Sequence, residues 1–362
     1  MRRDLVISAG PGEWRAALLE DGDAVELHVE RGDRKRAGSI HSGRVIRVAK
    51  GLDSAFVEIG DARPGLAPRR EGAGLDEGAR VVVQVRREAQ PDKGARLTTR
   101  VAGDFAPVEP PAQLYPAAGG FTANLALALS APPDTVIADD PAILPELRAV
   151  FPGAEIGRDL PLDLDAEFAA ALSPRIGEVH IEQTQAATLI DVDTGAPETG
   201  SAARTALEAN LAAAKAIARE VRRRNLGGGI VVDFVGLEGR GPRQRVAGAL
   251  AAALAADPAK PQVLGWTRLG HIEIVRPYRA PSLSAQLGDP ALSFAFAALK
   301  ALLREARANP AGQWRLMASA PVAAVLRGPA AAALAGLEAR LGRAIELADA
   351  GDAPSPFTIA PR

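Results

Sequence analysis

The most constraining stretch of this sequence runs from Ala186 to Phe234. A short apolar run, Ala186 to Ile190, ends in Asp191-Val192-Asp193 and gives way to a turn at Thr194-Gly195; a second run, Ile230 to Val232, ends in Asp233. Between them, residues 201 to 225 are rich in alanine and place Leu207, Leu211, Ala214, Ile217 and Val221 at helical spacing. This segment closes on Arg222-Arg223-Arg224 and Gly227-Gly228-Gly229. A basic last turn followed by glycines is a helix stop. Strand, crossover helix and strand make a βαβ unit, whose strands run parallel with their carboxyl ends side by side. Asp191, Asp193 and Asp233 are therefore expected to converge at one edge of a sheet.

Carboxylates gathered at one edge repel and raise one another's pKa unless something neutralises them. A divalent cation does so, and magnesium suits the pattern because it takes few protein carboxylates, keeps several waters and engages phosphate oxygens. Acids at strand ends also serve as ordinary turn or capping residues, so the pattern by itself leaves both readings open.

At 362 residues the chain has room for two or three domains. The absence of cysteine excludes disulfides and cysteine-held zinc or iron-sulfur centres. The apolar run after the first arginines is too short for a secretory leader, and no apolar stretch reaches spanning length, so a soluble cytoplasmic protein with no membrane partner is expected. Net charge is only −1, yet residues 31 to 100 carry 16 Lys and Arg against 9 Asp and Glu. A local positive excess of this kind attracts polyanions.

In chain order, residues 1 to 30 read as strands near 4–8, 14–20 and 24–30, too small to form a core alone. Five short strands follow, at 39–49, 54–59, around Leu66, at 79–87 and at 96–99, the count of a small OB-type barrel. Phe56 falls in one of them among Arg44, Arg47, Arg63, Lys93 and Arg96. An aromatic beside cations fits single-stranded nucleic acid; a core Phe beneath a solvated basic surface is the plainer alternative. A Pro/Gly/Ala-rich interval, Val101 to Pro133, leads through a short helix near 122–129 to a strand at 135–138 and helices at 141–150 and 165–172. Beyond the centre the expectation is a helix at 291–308, a strand at 314–318, one helix at 321–341, a strand at 344–348 and a frayed terminus. Arg222 to Arg224 read as a solvated helix end, and His271 as a structural or surface histidine. Arg243 and Arg245, on the loop and helix start after Asp233, are the better candidates for phosphate contact.

The wording of several segments goes further. GSIHSGRVIRVAKGLDSAFVEIG, GLAP, LDEGARVVVQVRRE and DKGARLTT resemble the S1-like RNA-binding domain of the ribonuclease E/G family, and IEQTQAATLIDVDTG, ALEANLAAAKAIAREVRRRNLGG, IVVDF and RLGHIEIVRPYRAPSL resemble its catalytic-core motifs in order. The resemblance implies an α/β multidomain fold: an S1-like OB barrel (37–100) inserted in a split RNase H-like subdomain (1–36 and 101–178), a βαβ metal-dependent nuclease core (179–285) and a small α+β C-terminal domain (286–362).

It also implies function. Relatives hold magnesium with the aspartates matching Asp191 and Asp233, and orient the site with an Asn where this chain has Asp193. Their second Asp after the other strand is Gly236 here. They stack bases on aromatics matching Phe56 and Leu66, the latter a departure. The basic rim of Arg44, Lys93 and Arg96, with Arg243, would contact the RNA. The segment that senses a 5′ phosphate in larger members has no counterpart, and the cysteine zinc link between subunits is impossible, so any homo-oligomer must be held otherwise. The expected activity is magnesium-dependent endonucleolytic hydrolysis of single-stranded RNA, of ribosomal or messenger precursors, leaving 5′ phosphate and 3′ hydroxyl ends. The alternatives are a catalytically weak or inactive RNA-binding protein of the same descent, and an S1-like accessory factor.

Overall fold

The computed structural model describes residues 1–31, 37–71, 75–89, 93–101, 103–115, 121–122, 125–126, 129, 131–157, 159–193, 202–351 and 354–361. The turn expected at Thr194-Gly195 lies outside these residues. The architecture is a mixed α/β arrangement of four sheets, one of them closed into a barrel.

The chain begins as a meander, β1 (Arg3–Ala9), β2 (Glu13–Glu20) and β3 (Asp23–Arg31), with apolar residues on both sides of β1 and β2. It then leaves this sheet and builds β4 (Ile40–Ala49), β5 (Ser54–Glu58), β6 (Gly65–Pro68), β7 (Arg80–Arg87) and β8 (Arg96–Thr98). Their pairing order, β5-β6-β8-β7-β4, closes on itself through a β4–β5 ladder, and β9 (Ala112–Tyr115) adds to the outside of β4. A closed five-stranded barrel of this kind is consistent with an OB-like fold. Its core is small and aliphatic, formed by Val45, Val57, Ile59, Val83, Val85 and Leu97.

After the barrel the chain returns to the first sheet. There β10 (Thr135–Ala138) pairs in parallel with β1, and β11 (Glu155–Gly157) pairs in parallel with β10. Helix α1 (Leu144–Val150) covers one face; α2 (Leu164–Leu172) covers the other. Thus the N-terminal meander obtains its core from residues more than a hundred positions away.

The central sheet has the order β12-β13-β14-β15-β17-β16, made of β12 (Arg175–Ile176), β13 (Val179–Gln183), β14 (Thr188–Val192), β15 (Gly228–Asp233), β16 (Gln262–Trp266) and β17 (Ile272–Arg276). Strands β14 and β15 run parallel, joined by the crossover helix α3 (Ala202–Arg223). Alternate residues of each strand, including Ile190, Val192, Ile230, Val232, Ile272 and Ile274, are buried under α3 and α4 (Arg240–Leu254). The opposite face is open and carries exposed Leu189, Leu264 and Val275 beside Asp191 and Asp233.

Three expectations need correction. Arg222, Arg223 and Arg224 are 6–7 % exposed, not solvated. Arg222 pairs with Glu26 at 2.6 Å and Glu20 at 3.2 Å, Arg223 with Glu167 at 2.7 Å and Glu220 at 3.1 Å, and Arg224 with Glu220 at 2.9 Å. Carboxylates on β2, β3 and α2, remote in sequence, neutralise the end of α3, and so it can be buried. The helix expected over 321–341 is two, α7 (Ala320–Arg327) and α8 (Ala331–Leu341), bent by 77°. Gly328-Pro329 separates them; proline supplies no N–H to continue the ladder. Finally, the terminus is not frayed: Phe357–Pro361 forms β20, antiparallel to β18 (Trp314–Ala318), while β19 (Glu346–Asp349) pairs in parallel on the other side.

This last sheet packs on α6 (Pro290–Ala308), which follows the short α5 (Leu283–Leu287). The unit is anchored to the first sheet by Arg340 and Arg307 on buried Asp140, at 2.7 and 2.8 Å, and by Lys300 on Asp165 at 3.1 Å. No single described helix is long and apolar enough to cross a membrane.

Candidate active site

The register of the parallel pair decides the geometry of the central edge. Thr188 stands opposite Ile230, and three residues on Asp191 stands opposite Asp233. Facing residues on neighbouring strands are separated by about 4.8 Å at the backbone and project to the same side. Both aspartates lie on the open face, and both are exposed. The two carboxylates thus form an adjacent pair at the carboxyl ends of β14 and β15, as the βαβ reading requires. Asp193 lies on the same face one step beyond β14. There Asp193 Oδ2 accepts a hydrogen bond from Arg175 Nη2 at 3.1 Å, while its backbone N–H donates to Glu178 O at 2.8 Å.

Two residues that sequence reasoning did not place here belong to this edge. His271 Nε2 lies 3.6 Å from Asp233 Oδ2, so it is a neighbour of the aspartate pair and not merely a structural or surface group. The pairing of β17 with β15 puts it there, information that lies outside the local wording RLGHIEIVR. Asn210, fully buried on α3, donates from Nδ2 to Val235 O at 2.8 Å and accepts at Oδ1 from Val235 N at 3.1 Å. This double clamp fixes the chain two residues after Asp233. A lone amide in the apolar stripe of the helix was its signal, because a buried amide needs partners.

Arg243 approaches the same edge from the start of α4. Its Nε donates to Leu237 O at 3.2 Å, its guanidinium lies 5.3 Å from the centre of the Trp266 ring, and its carbonyl accepts from Trp266 Nε1 at 3.0 Å. One face of the cation is spent on holding the loop, and the side chain remains half-buried.

The barrel residues distribute differently. Phe56 pairs across to Leu66, and Leu66 to Arg96, so the three lie on adjacent strands, β5, β6 and β8. The Arg47 guanidinium covers the Phe56 ring at 4.4 Å. Arg44 is engaged: its Nη2 donates to Glu109 Oε1 at 2.8 Å, and Arg80 pairs with the same carboxylate. Lys93 stands apart from this group, in a cleft of about 330 Å³ shared with Thr184, Thr188, Tyr278 and Ser282. Thr188 begins β14, so this cleft is about 10 Å of strand away from Asp191.

As a metal centre, the edge offers two aligned carboxylates. No group of three or more His, Asp or Glu side chains that could hold a metal ion occurs among the described residues. Two carboxylates suffice for magnesium, which is commonly held by one or two and keeps its waters. Apart from the nearby imidazole at Asp233, neither Asp191 nor Asp233 is ion-paired among the described residues, so both remain available. The donor set fits the ion.

Comparison with known proteins gives a consistent result. The model of the ribonuclease E/G family matches residues 168–279, a span covering β13 to β17 and both aspartates. Ribonuclease G of Haemophilus influenzae is 27% identical over 400 aligned positions, covering 79% of this chain and 82% of that protein. Ribonuclease G of Escherichia coli is 24% identical with 96% of this chain and 97% of its own length aligned. Ribonuclease E of a Nostoc species is 39% identical over 132 positions, 35% of this chain and 19% of that protein.

Proposed function

Since the chain belongs to the ribonuclease E/G family and is an endoribonuclease by that kinship, we propose that it cleaves single-stranded RNA in processing or decay, using magnesium held by Asp191 and Asp233 and leaving 5′ phosphate and 3′ hydroxyl ends. The observation that carries this reading is the register that sets Asp191 against Asp233 on the open face of parallel strands. By the same kinship we read the first sheet and its barrel as an RNase H-like scaffold with an S1-like insertion, and the last sheet as the family's small C-terminal domain.

When bound, magnesium supplies Lewis-acid stabilisation of charge on the phosphoryl oxygens, a contribution of several kcal/mol. The protein's own part is positioning. Asn210 holds the loop that follows Asp233, and Arg175 turns Asp193 away from a free role, leaving it to orient the edge at one remove. Arg243, steadied on Trp266, is the cation for a phosphate beside the scissile one. The barrel grips the strand: Phe56 offers a stacking face, with Arg96 two strands away and Arg44 and Lys93 at greater remove.

The test is cleavage of a fluorescently labelled single-stranded RNA with magnesium, with EDTA, and by the Asp191→Asn and Asp233→Asn variants. Either substitution is expected to slow cleavage on the order of a thousandfold, about 4 kcal/mol of transition-state stabilisation. RNA that binds but stays intact, or variants that cut like the parent, would replace this reading with that of a binding protein.

A further inference from the structure

Tyr278 sits where two clefts meet. The cleft of about 330 Å³ at the start of β14 receives Lys93 from the barrel. A second, of about 150 Å³, is lined by Arg86 and Arg87 at the end of β7, by Glu88 and by Arg279. Tyr278 lines both, so together they form one seam between the barrel and the strand-start edge of the central sheet.

The Tyr278 ring is seated by two glycines. A Cβ on Gly227 would fall 2.6 Å from ring Cδ1, and one on Gly228 2.7 Å from the hydroxyl oxygen. The ring can lie along this stretch of main chain only because neither residue has a side chain. Gly228 has a second reason to be glycine, its φ of +96°, whereas at Gly227 the room made for the ring is the reason. Backed by peptide groups on one side, Tyr278 remains 53% exposed. A fixed aromatic with one open side is a platform for a nucleobase.

The charge around it is uncompensated. Lys93, Arg86, Arg87 and Arg279 line the seam against one carboxylate, Glu88, and none of the four cations is in an ion pair among the described residues. Other arginines between units are neutralised, Arg222 by Glu26 and Arg340 by Asp140. A junction left with a positive excess attracts a polyanion.

Resting on the reading that the chain acts on single-stranded RNA, we propose that this seam is a nucleotide subsite away from the scissile phosphate. Tyr278 stacks a base there, and Lys93 and Arg279 hold the phosphates on either side of it. The register gives its place along the strand. Arg276 pairs with Gly228, Tyr278 lies two residues further on, and Asp233 stands five residues from Gly228 along β15. At about 3.3 Å per residue the subsite is about 17 Å from the aspartates, a gap that a few nucleotides of extended strand cross. Phe56 and Tyr278 are then separate platforms, one on the barrel and one on the core.

The experiment uses the full chain with EDTA present and a single-stranded RNA carrying 5-iodouridine as the probe. Ultraviolet light joins iodouridine to an aromatic ring stacked on it, and mass spectrometry identifies the residue. The expected result is a crosslink to Tyr278 in the parent, kept with full affinity in Tyr278→Phe. Tyr278→Leu should lose it and bind RNA about five- to a hundredfold more weakly. Lys93→Gln and Arg279→Gln should each flatten the slope of log affinity against log salt by about 0.7. Absence of the Tyr278 crosslink in the parent overturns the subsite, whatever the variants do. Unchanged affinity in Tyr278→Leu, an equal loss in Tyr278→Phe, or an unchanged salt slope in both charge variants overturns it as well. If the parent crosslinks through Phe56 alone and still cuts RNA with magnesium, the subsite fails and the nuclease reading stands; if the parent binds no single-stranded RNA, both fail.

Discussion

Removing Arg222 tests how the central sheet is mounted on the rest of the molecule. Its guanidinium is buried between Glu26, with hydrogen bonds of 2.9 and 2.6 Å, and Glu20, at 3.2 and 3.4 Å. Arg222→Ala deletes the cation and leaves Glu26, 5 % exposed, without its main partner. Among the described residues, only His28, at 3.2 Å from Glu26, remains to offset the charge. Breaking a buried pair from one side costs about 3–5 kcal/mol, since the surviving charge stays desolvated. Burial alone would push the Glu26 carboxyl up; His28 and Arg222, by hydrogen bond and by charge, together outweigh it and hold the group below the ordinary carboxylate value. Because the folded pKa is depressed, this contribution is present above the unfolded value and is lost as pH falls through the folded one. Urea unfolding at neutral pH should show the full deficit for Arg222→Ala, and at acidic pH the gap to the parent should narrow. Replacing both partners, Arg222→Met with Glu26→Gln, should cost less than Arg222→Ala alone, since no unpaired charge is left. The helix end that carries Arg222 is remote from the edge bearing Asp191 and Asp233, so the folded variant should bind and cut RNA as the parent does. A deficit under 1 kcal/mol, or a gap that widens in acid, would refute the reasoning; loss of RNA binding in folded protein would mark Arg222 as a nucleic-acid contact.

Phe56→Ala should weaken single-stranded RNA binding by about 1–3 kcal/mol in fluorescence anisotropy, the cost of one lost stacking face; an unchanged affinity would relegate Phe56 to packing. For Asp140, burial favours the neutral acid, but hydrogen bonds from Arg340 and the Ala142 N–H, with the charges of Arg307 and Arg340, prevail and depress its pKa. Asp140→Asn should therefore lower stability above the unfolded carboxylate value and flatten the acid limb of a pH series, measured by thermal unfolding. Gly228 has a φ of +96°, and a Cβ there would fall 2.7 Å from the Tyr278 hydroxyl, whereas Gly229 faces open space. Gly228→Ala should cost about 1–2 kcal/mol, and more than Gly229→Ala, in urea unfolding.

The elements that local pattern specifies were legible before any coordinate. The strands of the meander and barrel, and the βαβ crossover with its acid-terminated strands, follow from alternation, glycine punctuation and helical spacing, which act over a few residues. That Asp191 and Asp233 end neighbouring strands was expected this way because strands joined by a crossover helix run parallel, with their carboxyl ends at one edge. The break at Gly328-Pro329 was legible too, and the length of the alanine-rich run masked it. What the sequence could not decide is what depends on partners distant along the chain. Arg222 to Arg224 look like a solvated helix end until β2, β3 and α2 bring Glu20, Glu26 and Glu167 against them. The terminal residues look frayed until Phe357–Pro361 finds the free edge of β18. His180 and His271 are isolated letters in the sequence, yet strand pairing sets them at the two ends of one row with Asp191 and Asp233 between them. Residue type and spacing therefore determined which carboxylates share an edge; only the pairing of strands that are not neighbours in the chain decided what else stands beside them.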